Sequence, residues 1–319
     1  MNVMNMVTPP PDLAAISALQ SKLVSALRPV LPEHALLWEP EDTIPYECDG
    51  LAAYRRMPLA VALPETEEQV AQILKICFAM EIPVVPRGSG TGLSGGAMPL
   101  SQGLVLSLAK LKKILSIDPF TRTAVVQPGV RNLAISEAVS HLGLYYAPDP
   151  SSQIACSIGG NVNENSGGVH CLKYGLTLHN VLRVRGVLMN GEIVEFGSLA
   201  PDSPGLDLLA IMMGSEGMLA VVTEVTVKLV AKPKLARVIM ASFDDIEKGG
   251  NAVAAIIAAG IIPAGLEMMD KATTRAVEEF VHAGYDLDAE AILLCESDGT
   301  PQEVAEEIER MTQVLEKAG

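Results

Sequence analysis

The chain has 319 residues, 49% apolar and 19% charged, enough for roughly two packed domains. A formal net charge of −15 repels a phosphate backbone, and 4% aromatic residues build no stacking platform, so nucleic acid is not an expected partner. Any phosphate must be held locally, by backbone amides and a few placed cations.

The opening stretch, MNVMNMVTPPPDL, has no basic n-region and no long apolar run, so it does not read as a signal peptide. Leu13, Ile16, Leu19, Leu23 and Leu27 recur at helical spacing and predict a helix over 12–29, stopped by Pro29. Residues 32–58 are rich in Pro, Glu and Asp and read as irregular. A strand at 61–64 precedes a helix capped by Thr66, with Glu67 and Glu68 in its first turn and Val70, Ile73, Leu74, Cys77 and Phe78 as its apolar face. The strand 83–86 runs into a glycine-rich loop, Arg87 to Ala97, and 103–108 is the next strand. Two strands, ILSID and TAVVQPG, lead to a helix from Asn132 to His141 with Gly143 at its C-terminus. Residues 147–180 form a long, nearly strand-free stretch dense in Gly, Asn and Ser, and loops of that length inside a compact domain are usually functional. The segment 181–197 predicts a hairpin around Asn190-Gly191, a pair that favours a type I′ turn. A strand over 219–230 follows. From Leu235 strands and helices alternate, with helices over 246–259, 271–283 and 302–317, as in three βα units of a small second domain.

The five cysteines are odd in number and form no CxxC pair, and the five histidines show no HExxH or HxH spacing. That pattern fits free thiols in a reducing compartment and no metal site. The longest apolar stretch, Ala252 to Gly265, is broken by Gly260 and Pro263 and predicts no transmembrane segment. The expected location is cytoplasmic, with peripheral attachment to a membrane partner left open.

Gly90-Thr91-Gly92-Leu93-Ser94-Gly95 satisfies GxGxxG after a strand. A dinucleotide fingerprint also needs a helix starting in the loop and an acidic residue some 20 positions on. Here Pro99 and Gly103 preclude the helix, and Lys110, Leu111, Lys112 and Lys113 occupy the later positions. The loop can still curl tightly and aim successive N–H groups at one anion, helped by Ser89, Thr91, Ser94 and Arg87. Four or five such hydrogen bonds supply on the order of 10 kcal/mol, against roughly 4–15 kcal/mol for association. A tight cofactor therefore needs a second clamp. PDPSSQIACSIGGNVNENSGG at 148–168 offers one, with two glycine pairs among Ser and Asn residues that tolerate left-handed backbone. A third piece, Gly214-Ser215-Glu216-Gly217, precedes the strand over 219–230.

PVVPRGSGTGLSGGA (83–97), PDPSS with SIGGNVNENSGG (148–168) and MGSEGMLAVVTEVTVKL (213–229) resemble the FAD-binding domain of the vanillyl-alcohol-oxidase and p-cresol-methylhydroxylase class. Within that class, LPETEEQVAQIL (63–74), HCLKYGLTLHNVLRV (170–184) and CDGLAAYR (48–55) are similar to glycolate oxidase flavin subunits and D-lactate dehydrogenases. The resemblance runs through 40–270 in continuous order. It implies an α+β fold, with a two-subdomain FAD-binding domain of the p-cresol-methylhydroxylase type over 1–232 (subdomains about 1–110 and 111–232) and a partial α/β substrate cap over 233–319. It implies noncovalent FAD. Arg87, Gly88, Ser89, Gly90, Thr91, Gly92, Leu93 and Ser94 would hold the pyrophosphate. Pro148, Asp149, Ser151, Ser152, Ala155, Ser157, Ile158, Gly159, Gly160 and Asn161 would line the adenosine diphosphate and flavin, and Asn165, Gly167 and Gly168 would approach the isoalloxazine. Glu216, Gly217, Leu219, Ala220 and Val222 would close the adenine side.

In the complete family member a base takes the hydroxyl proton of a D-2-hydroxy acid such as glycolate or D-lactate. Hydride passes to the flavin, and electrons leave to an acceptor protein or companion oxidase subunit. Such relatives continue past this C-terminus and return to the flavin with an HxGDGNxH-like segment. The resemblance thus leaves the substrate site incomplete and no catalytic residue assigned. The alternative expectation is a catalytically incomplete FAD-binding module; a NAD-linked dehydrogenase is more distant. His170 is a candidate acid, base or attachment point, with a structural loop histidine favoured. Cys156 and Cys171 read as inert thiols. Lys173, Tyr174 and Arg185 are candidates to reach a carboxylate, and Glu267 and Asp270 read as a solvated turn.

Overall fold

The structure, a computed structural model, describes residues 13–200 and 205–318. The N-terminal MNVMNMVTPPPD lies outside the described residues. Among the described residues three larger sheets follow one another along the chain, each with its own hydrophobic core, and a two-stranded sheet accompanies the second.

The first layer comprises helix α1 (Leu13–Leu27), strand β1 (Leu36–Leu37), α2 (Pro40–Thr43), β2 (Ala60–Ala62), α3 (Glu67–Ala79), β3 (Val84–Arg87) and β4 (Leu104–Ser107). The strands order as β1-β2-β4-β3, with β2 and β3 parallel to β4. Parallel strands are covered on both faces, which is why β2 and residues 104–106 of β4 are continuous apolar runs and both strands are fully buried. The Thr66 side chain accepts from Gln69 N–H and starts α3, as expected. Val70, Ile73, Leu74 and Cys77 are buried by that helix, whereas Phe78, expected on the same face, is 59% exposed. Phe78 sits one position past Cys77, and the 100° step per residue carries it off the core stripe. The 32–58 segment is less irregular than its composition predicts, because Leu36 and Leu37 pair with Ala62 and Val61.

The second layer holds β5 (Ile114–Asp118), β6 (Thr123–Val126), α4 (Asn132–Val139), β7 (Leu144–Tyr145), α5 (Ile158–Glu164), α6 (Cys171–Tyr174), α7 (Thr177–Asn180), β8 (Val181–Val187), β9 (Ile193–Gly197), α8 (Leu208–Met212), β10 (Val221–Lys228) and β11 (Val230–Ala231). Five strands form an antiparallel sheet, β5-β6-β10-β8-β9, and β7 pairs with β11. The β8–β9 hairpin is not the expected type I′ turn. Only Gly191 has positive φ, Gly191 N–H bonds Leu188 C=O and Leu188 N–H bonds Glu192 C=O, so a three-residue loop closes with a glycine bulge. The Asn190 side chain, accepting from Glu192 N–H, holds that form.

Beyond it, β12 (Leu235–Phe243), α9 (Ile246–Ala258), β13 (Gly265–Asp270), α10 (Lys271–Val281), β14 (Ala291–Gly299) and α11 (Pro301–Ala318) make the third layer. Its strands order β12-β14-β13 and are all antiparallel. One face packs on α9 and α11 around Phe243, Ile256, Leu293 and Met311. Among the described residues no helix is long and apolar enough to cross a membrane.

Candidate functional site

The glycine loop leaves β3 at Arg87, a residue only 9% exposed. Its Nη1 donates to Cys48 C=O at 2.8 Å, and the guanidinium lies 5.7 Å from the Tyr46 ring centroid. The guanidinium also fills the space beside Gly90, whose φ is +71°, so a Cβ there would collide with it. Burial lowers the Arg87 pKa, with Asp49 opposing that shift. Arg87 therefore props the loop from beneath as much as it faces the cleft.

The second small-residue run meets the first across a shared cleft. Gly88 abuts Ser157 so closely that a Cβ would strike the Ser157 hydroxyl. Of the residues expected at the cofactor, Arg87, Gly88, Ser89, Gly90, Thr91 and Gly92 line the cleft from one side. Ser152, Ser157, Gly159, Gly160 and Asn161 line it from the other, together with Glu216.

Other expected residues are placed elsewhere. Ile158, Ala220 and Val222 are buried in the core of the second layer. Leu93 is 74% exposed and Leu219 48% exposed. Gly217 packs on Pro86, and Gly168 packs on Asp149. Ser94, Pro148, Asp149, Ser151, Ala155, Asn165 and Gly167 are not in the cleft wall. Asn165 instead ends α5 in left-handed conformation, its side chain accepting from Leu178 N–H.

The second clamp, expected within a long loop, is in part helical. Residues 158–164 are helical, and the N–H groups of Ile158 and Gly159 are taken by Val130 and Pro128 carbonyls. Gly159 is small because a Cβ would come within 2.5 Å of Pro128. Side chains and Gly160 are what this wall presents.

Three acidic groups that sequence reasoning missed belong to the site or its rim: Asp49, Glu164 and, in this role, Glu216. A point beside Gly96 lies 3.2 Å from a Glu164 carboxylate oxygen and 3.6 Å from one of Glu216. Burial, then Glu216 and Asp49, push the Glu164 pKa up. Asp49 Oδ2, Ser157 Oγ and Asn163 Oδ1 are buried without a partner, and all three residues line the cleft. Unmet buried polar atoms cost free energy, and a ligand rich in hydroxyl, imide and phosphate groups, such as FAD, supplies the missing partners. The residues present fit that cofactor. All three orphaned residues had a sequence signal: Ser157 was expected at the cofactor, Asn163 lies in the SIGGNVNENSGG run, and Asp49 lies in the CDGLAAYR segment.

The remaining candidates lie outside the cleft, save Cys156, whose Sγ faces Asn161 at 3.4 Å. Lys173 and Tyr174 do reach a carboxylate, that of Asp298. Arg185 reaches Glu67 through bonds of 3.0–3.1 Å. Asp270 caps α10 by accepting from Thr273 N–H. Among the described residues no group of three or more His, Cys, Asp or Glu is arranged to hold a metal ion.

A mixed first sheet and an antiparallel second sheet, both with helices, closing on one glycine-walled cleft and followed by an antiparallel third layer, define an FAD-binding protein of the p-cresol-methylhydroxylase type of fold. The FAD binding domain family matches residues 58–197, and the C-terminal domain of FAD-linked oxidases matches 232–319. The chain belongs to the FAD-linked oxidase family. The glycolate oxidase subunit GlcD of Escherichia coli K12 is 61% identical over 300 residues, covering 94% of this chain and 60% of that protein. The D-lactate dehydrogenase of Anaerostipes hadrus is 33% identical over 307 residues, covering 93% and 64%. A solved alkyldihydroxyacetonephosphate synthase superposes with a TM-score of 0.80 at 20% identity, covering 93% of this chain and 59% of that one. p-Cresol methylhydroxylase gives 0.75 at 20% identity, covering 94% and 64%; these two share the fold. The chain thus spans about 60% of the length of the GlcD relative.

Proposed function

We propose that the cleft holds FAD noncovalently and that the protein to which these residues belong oxidises a D-2-hydroxy acid of the glycolate or D-lactate type. The reading rests on one observation: two small-residue runs, some 65 residues apart in sequence, face each other with three buried polar atoms unmet between them. Ser89, Thr91 and the loop amides would donate to the pyrophosphate, with Arg87 as the cation behind them. Asp49 and Asn163 would accept from hydroxyl or imide groups. Bound FAD would supply the hydride-accepting chemistry of the oxidation. Companion chains and an electron-acceptor protein are proposed as partners, by likeness to a protein named as an oxidase subunit.

Reconstitution with FAD, followed by anaerobic addition of D-lactate or glycolate, tests the reading. Loss of flavin absorbance on either substrate supports it, and a preparation that never takes up FAD overturns it. A second reading is that these residues hold FAD while another segment or chain completes the substrate site. It is favoured by the share of the relatives' length that this chain does not match. Tight FAD with no bleaching selects it.

A further inference from the structure

We propose that His170 is a positioning residue that ties the wall of the FAD cleft to the C-terminal sheet, so that cofactor retention depends on how that sheet is seated. The proposal rests on the cleft being the FAD site. His170 lies just past the Ser166-Gly167-Gly168 segment. Its Nδ1 is 2.6 Å from Asp149 Oδ2, and its backbone N–H donates to Asp149 Oδ1 at 3.2 Å. On the opposite side its Nε2 is 3.4 Å from Glu296 Oε2, on β14. A neutral imidazole donates from one nitrogen, and only the cation donates from both. The protonated ring is therefore the species that joins the two carboxylates.

Each carboxylate is anchored in a different body. On the cleft side, Asn132 donates to Pro148 C=O, next to Asp149, and to Asn161 Oδ1, and Asn161 with Ser152 lines the cleft. Gly168 is pressed against Asp149 with no room for a Cβ. On the other side, a Cβ at Gly265 of β13 would come 2.9 Å from Val169, and Lys173 and Tyr174 grip Asp298. A displacement of β14 therefore pulls on Asp149 through His170, and coupling of this kind is reciprocal in free energy.

The groups facing the ring are Asp149, Glu296 and the edge of Tyr174 at 6.5 Å, with Lys173, Asp298 and Tyr145 beyond. The Asp149 hydrogen bond foremost, against some desolvation, raises the imidazole to about 9. The folded value is above the unfolded one. The contribution is thus complete below the ordinary histidine pKa and is lost as pH rises through about 9.

The test is FAD affinity of the whole chain from about pH 6 to about pH 10, for wild type, His170→Gln, His170→Arg and Glu296→Gln. Wild type should bind evenly up to about pH 8 and weaken through pH 9. His170→Gln should bind about tenfold more weakly near neutral pH, the worth of one charge-assisted hydrogen bond, and show no inflection near pH 9. His170→Arg should recover the affinity without the inflection, since a guanidinium stays charged. Glu296→Gln, which is outside the cleft wall, should weaken binding as well, a result that a purely local role for His170 does not give. Wild-type affinity in His170→Gln or in Glu296→Gln overturns the proposal, as does an inflection that survives in His170→Gln. If wild type binds no FAD, the function reading itself fails and this proposal falls with it.

Discussion

Gly90 shows how one atom decides the cofactor loop. Its left-handed φ and the Arg87 guanidinium beneath it both exclude a side chain. Gly90→Ala should cost about 1–2 kcal/mol in urea unfolding from backbone strain alone, and more from the displaced guanidinium. FAD affinity should fall with it. Glu164 should act in the opposite sense. Its folded pKa is raised, so its neutral form is favoured, and the benefit present at low pH is lost as pH rises through the folded value. Near neutral pH the charged carboxylate opposes Glu216, Asp49 and an incoming diphosphate. Glu164→Gln should therefore bind FAD more tightly than wild type near pH 7, with a flatter pH profile; weaker binding at every pH would instead make Glu164 an acceptor for the cofactor. Burial pushes the thiols of Cys77 and Cys295 up to about 12 and about 11. In the native protein only the partly exposed Cys48 and Cys171 should react promptly with a thiol reagent.

Among the elements, one cluster of side chains ties the first layer to the second. Glu67, in the first turn of α3, takes the fork of Arg185 on β8 and the hydroxyl of Thr223 on β10. Arg185 also meets Glu195, and these bonds raise its pKa. The bidentate geometry makes this more than an ordinary surface pair, although solvent at the Arg185 side chain screens part of it. Glu67→Ala should lower stability by about 1–2 kcal/mol and also weaken FAD binding, because it loosens one layer against the other. Unchanged affinity would separate layer docking from cleft geometry. Helix α5 forms part of the cleft wall. Gly159 lets it lie on Pro128, and Asn161, Asn163 and Glu164 of the same helix line the cleft.

At the scale of the whole molecule, the cleft is walled by residues of both the first and the second layer. FAD should therefore stabilise the pair as a unit. At a free concentration a hundred times Kd the gain is about 2.7 kcal/mol, visible as a rise in Tm on adding FAD and its loss on stripping the cofactor. A thermogram in which FAD leaves every transition unmoved would contradict the two-walled cleft.

Much of this was legible in order along the chain. The Thr66 cap, the strands near 61–64, 83–86 and 103–108, the glycine run and the alternating elements past Leu235 all follow from local periodicity, capping and backbone freedom, which act over a few residues. The motifs likewise carried the family and its cofactor. What local rules could not supply was everything set by distant neighbours. The start of helix α5 has its Ile158 and Gly159 amides taken by the carbonyls of Val130 and Pro128, and Pro128, some thirty positions earlier, leaves room only for glycine at 159. Asp49, Glu164 and Glu216 meet only after folding, and His170 gained its two carboxylates from a loop and from a strand far along the chain. Sequence determined the elements and the chemistry class, through interactions short enough to be written in neighbouring residues. The tertiary structure alone decided which charges face the cleft and which brace it, because burial and electrostatics depend on distances that chain order does not contain.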